Sequence, residues 1–405
     1  MIFTSTTKTK LMIKPKTKPG LLAFAGLLCA ALAHGQFVLP GGSDGSMGAL
    51  NVTANTTLTV PPDGVFHYTT ININAGTTLS FTRNSNNTPV YLFATGDITI
   101  AGTINLDGAD SSGTSYTPGG PGGGDGGYAT IGGGTGGAGG GPGGGKPGLG
   151  NVTGTLEPGT AGVGVFSTIG SGISTNRTSV YGGPLLRPLV GGSGGGATYS
   201  TELRSGGGGG GAIRVGSSTR ITFTGNILAR GGDSAPGAGS GGSVHLVAPL
   251  VTGNGTMNVD GGAIYRSGFG QTLGSAGRGR TRVDTFDRRT LSISGVDSIG
   301  SHVVGLESPP PRLDIVEVAG NGVPLGSPEP VQVILPTNAP SSQIIRVRAA
   351  GLNAMVPLEL QLRPWDGLPI KYTNVIDNLS QDPAFVDVSV TIPPNILFNV
   401  EAWKR

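Results

Sequence analysis

The sequence is poor in cysteine, in charge and in aromatic residues, and each shortage excludes a class of protein. Its single cysteine is Cys29, so a disulfide framework or a thiolate metal site cannot be built. Only 12% of the residues are charged and 5% are aromatic, whereas glycine supplies 77 of the 405 residues. Because each glycine inside a helix costs about 1 kcal/mol relative to alanine, a helical protein is hard to build from this composition. Strands and turns should dominate.

The first 36 residues have the features of a secretory signal peptide. A short apolar run from Gly20 to Leu32 ends in the small-x-small cleavage site Ala31-Leu32-Ala33, and it follows a basic region with Lys8, Lys10, Lys14, Lys16 and Lys18. The run is too short to span a bilayer, although an uncleaved anchor is the alternative. Cleavage near Ala33 or Gly35 would remove residues 1–35, and we expect no integral membrane span in the mature chain.

Removal of the signal peptide changes the charge balance of the chain. The full sequence has 26 Lys and Arg residues against 23 Asp and Glu residues, but five of the lysines and none of the acids lie in the signal. The mature chain would therefore carry a small acidic excess. A nucleic-acid partner needs a retained basic patch, so the sequence predicts no nucleic-acid binding.

Between the signal and about residue 300, short β-branched runs alternate with Gly, Asn and Asp. One unit of this pattern recurs with its spacing kept, because the interval from the first apolar residue to the inner glycine is twelve, twelve and eleven residues. These intervals run from Val90 to Gly102, from Ile213 to Gly225 and from Val244 to Gly255. Such a unit cannot bury its apolar face alone, whereas stacked units form a continuous core.

The repeat predicts a right-handed parallel β-helix over residues 36–300. The competing interpretation is an array of antiparallel β-sandwiches, which needs two-residue hairpin loops such as Asn-Gly or Asp-Gly. Those loops are sparse, and Asp63-Gly64 and Asp107-Gly108 are the nearest candidates. The parallel interpretation is therefore favoured.

Glycine tracts interrupt the repeats at residues 119–150, 182–196, 206–211 and 237–242. Composition favours flexible loops that leave one corner of the helix, because glycine-rich chain loses much entropy on ordering. The alternative is that the tracts pack side by side as extended polyglycine-like segments, a close approach that only glycine permits. An ordered glycine face could then act in ice binding or in self-association.

A different composition begins after Glu307. Residues 301–312 are a proline-rich linker with three consecutive prolines from Pro309 to Pro311, and glycine is scarce beyond it. Residues 313–405 should form a small immunoglobulin-like β-sandwich, with Trp365 and Trp403 as core or rim aromatics. The seven predicted strands are Leu313–Val318, Val331–Leu335, Gln343–Ala349, Pro357–Arg363, Ile370–Val375, Ala384–Ile392 and Leu397–Trp403.

The repeats contain the runs GGGGGGAIRV at residues 206–215, GGSVHL at 241–246 and TGNGTMNVDGG at 252–262. In these runs the chain resembles glycine-rich, adhesin-like surface proteins of Gram-negative bacteria, over roughly residues 40–285. The resemblance rests on a repeat style. It implies a β-helix exposed outside the cytoplasm, secreted, on the outer surface or in the periplasm, with a structural or adhesive role. Autotransporter adhesins end in a membrane β-barrel, and the C-terminal segment is too short to supply one.

The only dense charged cluster lies between Arg278 and Arg289. Strand alternation would place Arg278, Arg280 and Arg282 on one face with Asp284, where guanidinium groups could bind an acidic polysaccharide. The same cluster could instead be a charged last strand that caps the helix.

Other candidate groups for chemistry are sparse. Asp107 and Asp260 recur before a glycine and fit a turn role, and His245 is expected to be a solvated strand residue. No catalytic residue, cofactor or metal site is predicted.

These features favour an exported structural or adhesin-like scaffold without catalytic activity. The alternative is a carbohydrate-binding or polysaccharide-degrading β-helix protein. Candidate partners are extracellular polysaccharides or other cell-surface components, and the sequence leaves the oligomeric state open.

Overall fold

The computed structural model describes residues 42–113, 115–129, 136–148, 161–172, 178–198, 205–265, 272–286, 292–300, 312–325, 331–336, 338–352, 354–364, 368–392 and 398–404. Within these ranges the regular secondary structure is β-strand, in parallel sheets and in some antiparallel sheets. The protein is therefore all-β, as its composition predicts. The signal segment and Trp365 lie outside the described residues.

The strands of residues 42–300 are short, mostly of three to five residues. They are β1 (Ala49–Val52), β2 (Thr56–Thr59), β3 (Val65–Tyr68), β4 (Thr70–Ile73), β5 (Thr78–Thr82), β6 (Val90–Ala94), β7 (Ile98–Ile100), β8 (Thr103–Asn105), β9 (Ser171–Gly172), β10 (Ala212–Ser217), β11 (Arg220–Phe223), β12 (Asn226–Leu228), β13 (Ser243–Val247), β14 (Leu250–Thr252), β15 (Thr256–Asn258), β16 (Ala263–Tyr265), β17 (Thr272–Ser275), β18 (Arg280–Asp284) and β19 (Ser298–Gly300).

Most of these strands belong to three parallel sheets, which together we call the sheet stack. Sheet A has the order β1-β4-β7-β11-β14, sheet B has β2-β5-β8-β12-β15, and sheet C has β3-β6-β10-β13-β18-β19. From β1 to β15, with β9 set aside, the chain visits sheets A, B and C in the same cyclic order. The pairing is parallel throughout the stack, so the interpretation as antiparallel hairpins is wrong for these strands.

The core of the stack is made of rows of apolar side chains at matching positions. In sheet A the register aligns Ile71, Ile98, Ile221 and Val251, all of them buried. A second row in sheet B runs through Leu79, Ile104, Ile227 and Met257. Both rows belong to one continuous hydrophobic cluster. Each strand is too short to hold a core, and stacking joins their apolar faces.

The glycine tracts form a second kind of core, which we call the glycine bundle. Residues 205–212 are an extended segment whose successive N–H groups donate to three different neighbours in rotation. Residues 205, 208 and 211 donate to segment 106–113; residues 206, 209 and 212 donate to segment 121–127; residues 207 and 210 donate to segment 237–240. A period of three is the geometry of an extended helix with three residues per turn.

Neighbouring segments of the glycine bundle follow the same rule. In segment 191–197, Gly192 and Gly195 donate to segment 205–212, whereas Gly194 and Ala197 donate to segment 136–140. Contact is so close that a Cβ built on Gly195 would lie 1.8 Å from the carbonyl oxygen of Gly237. The flexible-loop interpretation is therefore wrong for the parts of the tracts that lie in the bundle, which pack side by side; residues 182–190 lie outside it. The bundle comprises residues 106–113, 117–127, 136–148, 161–166, 191–197, 205–212, 229–242, 259–262 and 276–279.

Residues 312–404 form two antiparallel sheets around a separate hydrophobic cluster. One sheet has the order β21-β20-β22-β25 and the other β24-β23-β26. Six of the seven predicted strands appear, and Val331–Leu335 is in no ladder of the described residues. The strands are β20 (Arg312–Val318), β21 (Asn321–Gly322), β22 (Ser342–Ala350), β23 (Met355–Pro364), β24 (Ile370–Asp377), β25 (Ala384–Thr391) and β26 (Phe398–Lys404).

Polar side chains of this C-terminal part contact the glycine bundle. Gln361 Nε2 donates to the Gly141 carbonyl (3.2 Å), Arg363 Nη2 to the Ala138 carbonyl (3.0 Å) and Lys371 Nζ to the Pro142 carbonyl (3.0 Å). Along β23, Gln361 and Arg363 alternate with Leu360 and Leu362, which belong to the hydrophobic cluster. One face of β23 thus packs into the hydrophobic cluster of the C-terminal part, and the other face contacts the glycine bundle.

Candidate functional site

Sheet C carries a row of polar side chains on its outer face. The parallel register aligns Tyr91, Arg214, His245 and Arg282 on the neighbouring strands β6, β10, β13 and β18. They alternate with core residues such as Leu92, Val215 and Leu246, so they point away from the interior of the stack. Asp284 lies two residues beyond Arg282 on the same face. We call Arg214, His245, Arg282 and Asp284 the charged cluster.

The charged cluster is buried although it faces outward. His245 is 1% exposed, Asp284 0% and Arg282 9%. Segment 181–190 packs on this outer face through Leu186 and Leu189, which join Tyr91 in one hydrophobic cluster, and the Ser243 hydroxyl donates to the Val190 carbonyl (2.6 Å). The expectation that His245 is solvated is wrong, because it assumed that nothing covers the outer face of the strand.

Asp284 holds the centre of the charged cluster. Its Oδ2 lies 2.9 Å from His245 Nε2 and accepts a hydrogen bond from Arg282 Nε (3.1 Å), while Arg282 Nη2 lies 2.7 Å from Oδ1.

Burial lowers the pKa of His245 to about 4 and outweighs the opposing effect of Asp284. Burial alone would raise the pKa of Asp284, but the hydrogen bonds from His245 and Arg282 lower it below its usual value.

These pKa shifts define the protonation states of His245 and Asp284 near neutral pH. A neutral His245 donates its Nε2 proton to the Asp284 carboxylate, and its Nδ1 is then an acceptor. No hydrogen-bond partner of Nδ1 is found among the described residues. A carboxylate-oriented imidazole with a free ring nitrogen can act as a general base, but at 1% exposure no substrate reaches it in this conformation.

The four residues predicted as a ligand site are separated by the fold. Arg282 and Asp284 form a buried pair, and Arg280 is half-buried at the start of β18. Arg278 precedes that strand and forms ion pairs with Asp260 and Asp297. Ligand binding by these residues remains a prediction. The cap interpretation needs one change, because β19 pairs beyond β18, which is therefore not the last strand of sheet C.

The sequence held a signal for the residues that the prediction missed. Tyr91, Arg214 and His245 each follow the first apolar residue of the three aligned repeats, Val90, Ile213 and Val244. The register confirms that these positions are neighbours. Comparing the polar residues at the same position of the aligned repeats, rather than one by one, would have placed His245 beside Arg214.

The recurring aspartates bind arginines of neighbouring segments. Asp107 Oδ2 lies 2.7 Å from Arg230 Nη2, and its Oδ1 accepts from the Arg230 backbone N–H (2.7 Å). The turns themselves are formed by the preceding asparagines, since Asn105 Oδ1 accepts from the Asp107 N–H and Asn258 Oδ1 from the Asp260 N–H, both at 2.9 Å. The predicted turn role thus belongs to the asparagines.

Together these features define an all-β protein with parallel and antiparallel sheets, in which the charged cluster of sheet C is buried. Comparison of the chain with models of protein families, with curated proteins and with solved structures finds no match. Within the described ranges there is no group of three or more His, Cys, Asp or Glu side chains that could hold a metal ion. The described residues also contain no helix long and apolar enough to cross a bilayer.

Proposed function

We propose that the chain is an exported, non-catalytic scaffold of the cell surface or extracellular matrix. In this proposal residues 36–300 are a right-handed parallel β-helix that carries the glycine bundle, and residues 313–405 are an immunoglobulin-like sandwich. The cyclic order of the strands through sheets A, B and C supports the helix, because a coil of this kind needs one strand in each sheet per turn. The two facing antiparallel sheets around one apolar cluster support the sandwich.

The glycine bundle is the observation that carries the proposal. Its segments join residues far apart in sequence, such as Gly206 to Gly127 and Gly196 to Gly162, mainly by backbone hydrogen bonds. Each segment bonds to several others, so the network is three-dimensional rather than a single sheet. A large part of the chain is therefore committed to an interior built mainly of hydrogen-bonded backbone, which suits a protein whose role is mechanical.

Two measurements test the scaffold proposal. Antibodies raised against the purified protein should label intact cells or the material that they release, and labelling that appears only after permeabilisation would contradict export. Amide hydrogen exchange should protect residues 205–212 as strongly as β6 in the stack. Complete exchange of the glycine segment within seconds would exclude a rigid bundle and with it the mechanical argument.

The alternative function is carbohydrate binding or polysaccharide degradation. It is favoured by the row of Tyr91, Arg214, His245 and Arg282, since groups at matching positions of stacked strands recur about every 4.8 Å and can follow a polymer. Segment 181–190 would have to move before a glycan reached them. A glycan array with the wild type and Arg280→Ala tests the site, because Arg280 is half-buried and lies on β18. Binding that survives this substitution would remove Arg280 from consideration.

A further inference from the structure

The C-terminal sandwich has an open edge where its two sheets meet. β26 is the last strand of its sheet and pairs with β23 on one side only, among the residues that the structure describes. On the facing sheet β20 pairs with β22 with one irregularity between Ile315 and Glu317, and its other side meets the two-residue strand β21 and Val323, whose N–H donates to the Val316 carbonyl. A strand with a free side presents a row of backbone N–H and C=O groups that can pair with another strand.

Apolar side chains along this edge remain partly exposed. Leu313 and Val318 of β20 and Phe398, Val400 and Ala402 of β26 pack against the sandwich core without being buried by it. All five line a cavity of about 1230 Å³ next to the edge. The edge therefore offers both unsatisfied backbone groups and uncovered apolar surface.

Segment Val331–Leu335 has the sequence of a strand but lacks a partner. Its residues Val-Gln-Val-Ile-Leu are rich in β-branched side chains, and no backbone hydrogen bond of these five residues is found in the described part of the chain. Val331, Val333, Ile334 and Leu335 line the same cavity, and Ile334 is 87% exposed. Pro330 and Pro336 bound the segment, so any ladder that it joins is limited to five residues.

We propose that Val331–Leu335 of one copy of this chain pairs with the free edge of β26 in a second copy and fills the cavity there. The strand donor and the acceptor edge both lie in each copy, and in this proposal two copies exchange their segments reciprocally, which closes the assembly as a dimer with twofold symmetry. In its own copy the segment borders the cavity without a backbone hydrogen bond to β26 among the described residues, and it leaves Ile334 87% exposed, so its apolar surface is not covered within one chain. This inference goes beyond the scaffold proposal and does not depend on export.

Light scattering coupled to size-exclusion chromatography tests the association with the full mature chain. We expect a dimer whose fraction rises with concentration, and Ile334→Asp should raise the dissociation constant at least about tenfold, because a charged side chain would then have to enter the apolar edge of the second copy. Ile334 is exposed in the single chain, so this substitution should not impair folding. Leu379→Asp is the matched control, because Leu379 is 68% exposed in the turn after β24, away from the cavity lining.

Cross-linking distinguishes exchange from docking within one chain. The exposed Gln332 is replaced by a photoreactive residue in both unlabelled and isotopically heavy chains. The two preparations are then mixed. The proposal expects cross-links from segment 331–336 to β26 that join a light and a heavy peptide. Cross-links to β26 that join only equally labelled peptides, cross-links only to other elements, or a monomer at every concentration would each overturn it.

Discussion

The sheet stack and the glycine bundle are two solutions to the same problem of filling a protein interior. In the stack, rows such as Ile71, Ile98, Ile221 and Val251 remove apolar side chains from water, and backbone hydrogen bonds run between neighbouring strands of one sheet. In the bundle the interior is mainly backbone, and a segment such as 205–212 bonds to neighbours in three directions.

The difference lies in what each core demands of its sequence. A stack position accepts any apolar side chain of similar volume. The strands of the stack are therefore recognised in the sequence by apolar residues at every second position. A bundle position accepts no side chain where a neighbour's carbonyl occupies the place of Cβ, as at Gly195 and Gly242, where that oxygen would lie 1.8 Å away. The bundle is therefore specified by glycine identity and the stack by polarity.

The largest expected effect is the addition of one methyl group to the bundle. Gly195→Ala would place Cβ against the Gly237 carbonyl, which is held by the hydrogen bond from Gly207 N–H, so the segments must separate. We expect a loss of at least about 3 kcal/mol in the free energy of unfolding, measured by chemical denaturation.

Gly183→Ala is the matched control for this substitution. Gly183 is exposed, and a Cβ at that position would meet no atom within 4 Å. Its expected effect is a gain of up to about 1 kcal/mol, because alanine restricts the unfolded chain. Equal stability of the two variants would show that the bundle tolerates side chains and would remove the contrast with the stack.

A second prediction uses the charged cluster, which only the stack contains. The pKa of His245 is lowered to about 4 in the folded protein, whereas an unfolded histidine titrates near 6.5. Between these values the unfolded chain binds a proton that the folded chain does not, so stability must fall as the pH decreases from 6.5 to 4. A shift of this size corresponds to about 3 kcal/mol.

Denaturation curves at pH 7, 5.5 and 4.5 should reveal this loss, which His245→Gln should reduce because glutamine can still donate to Asp284 and does not titrate. Below pH 4 protonation of Asp284 adds a loss of the same sign, since its pKa is also lowered in the folded state. Equal pH dependence in the wild type and His245→Gln would argue against the buried neutral imidazole.

How far the sequence predicts this structure depends on which core is considered. The stack could be predicted, since the spacing that aligns Val90 with Ile213 and Val244 reappears as strand register. The bundle could be predicted only as an alternative, because its partners are set by hydrogen bonds between tracts far apart in sequence, and composition alone favours disorder.

The burial of His245 could not be predicted from its own strand, since alternation correctly places it on the outer face. What covers that face is decided by segment 181–190, more than 50 residues earlier in the chain, through Leu186 and Leu189. The strand predicted at Val331–Leu335 is absent from the described ladders for the opposite reason. Its local pattern is strong, but no strand edge pairs with it among the residues that the structure describes.

A third prediction concerns the junction, where side chains of the C-terminal part serve the bundle. Lys371 Nζ donates to the Pro142 carbonyl and pairs with Glu359 at 3.0 Å, and Glu359 is buried. Lys371→Met removes the cationic partner of that buried carboxylate, which keeps the hydrogen bond from Gln361, so we expect a loss of about 2 kcal/mol, measured by chemical denaturation.

The double variant Lys371→Met with Glu359→Gln removes both charges and should be more stable than Lys371→Met alone. If Glu359→Gln lowers the free energy of unfolding of the Lys371→Met variant by as much as it lowers that of the wild type, the two groups do not interact. The junction would then rest on Gln361 and Arg363.

The smallest expected effect is the removal of one methylene group from the stack, which sharpens the contrast with Gly195→Ala. Ile227→Val keeps the β-branched shape in the fully buried row with Ile104 and Met257, and leaves a small cavity. Its expected cost is about 1 kcal/mol in the free energy of unfolding, measured under the same conditions. One carbon atom removed from the stack should thus matter less than one added to the bundle. A loss for Ile227→Val equal to that of Gly195→Ala would mean that both cores depend on the same close fit, because the stack would then tolerate as little change in volume as packed backbone.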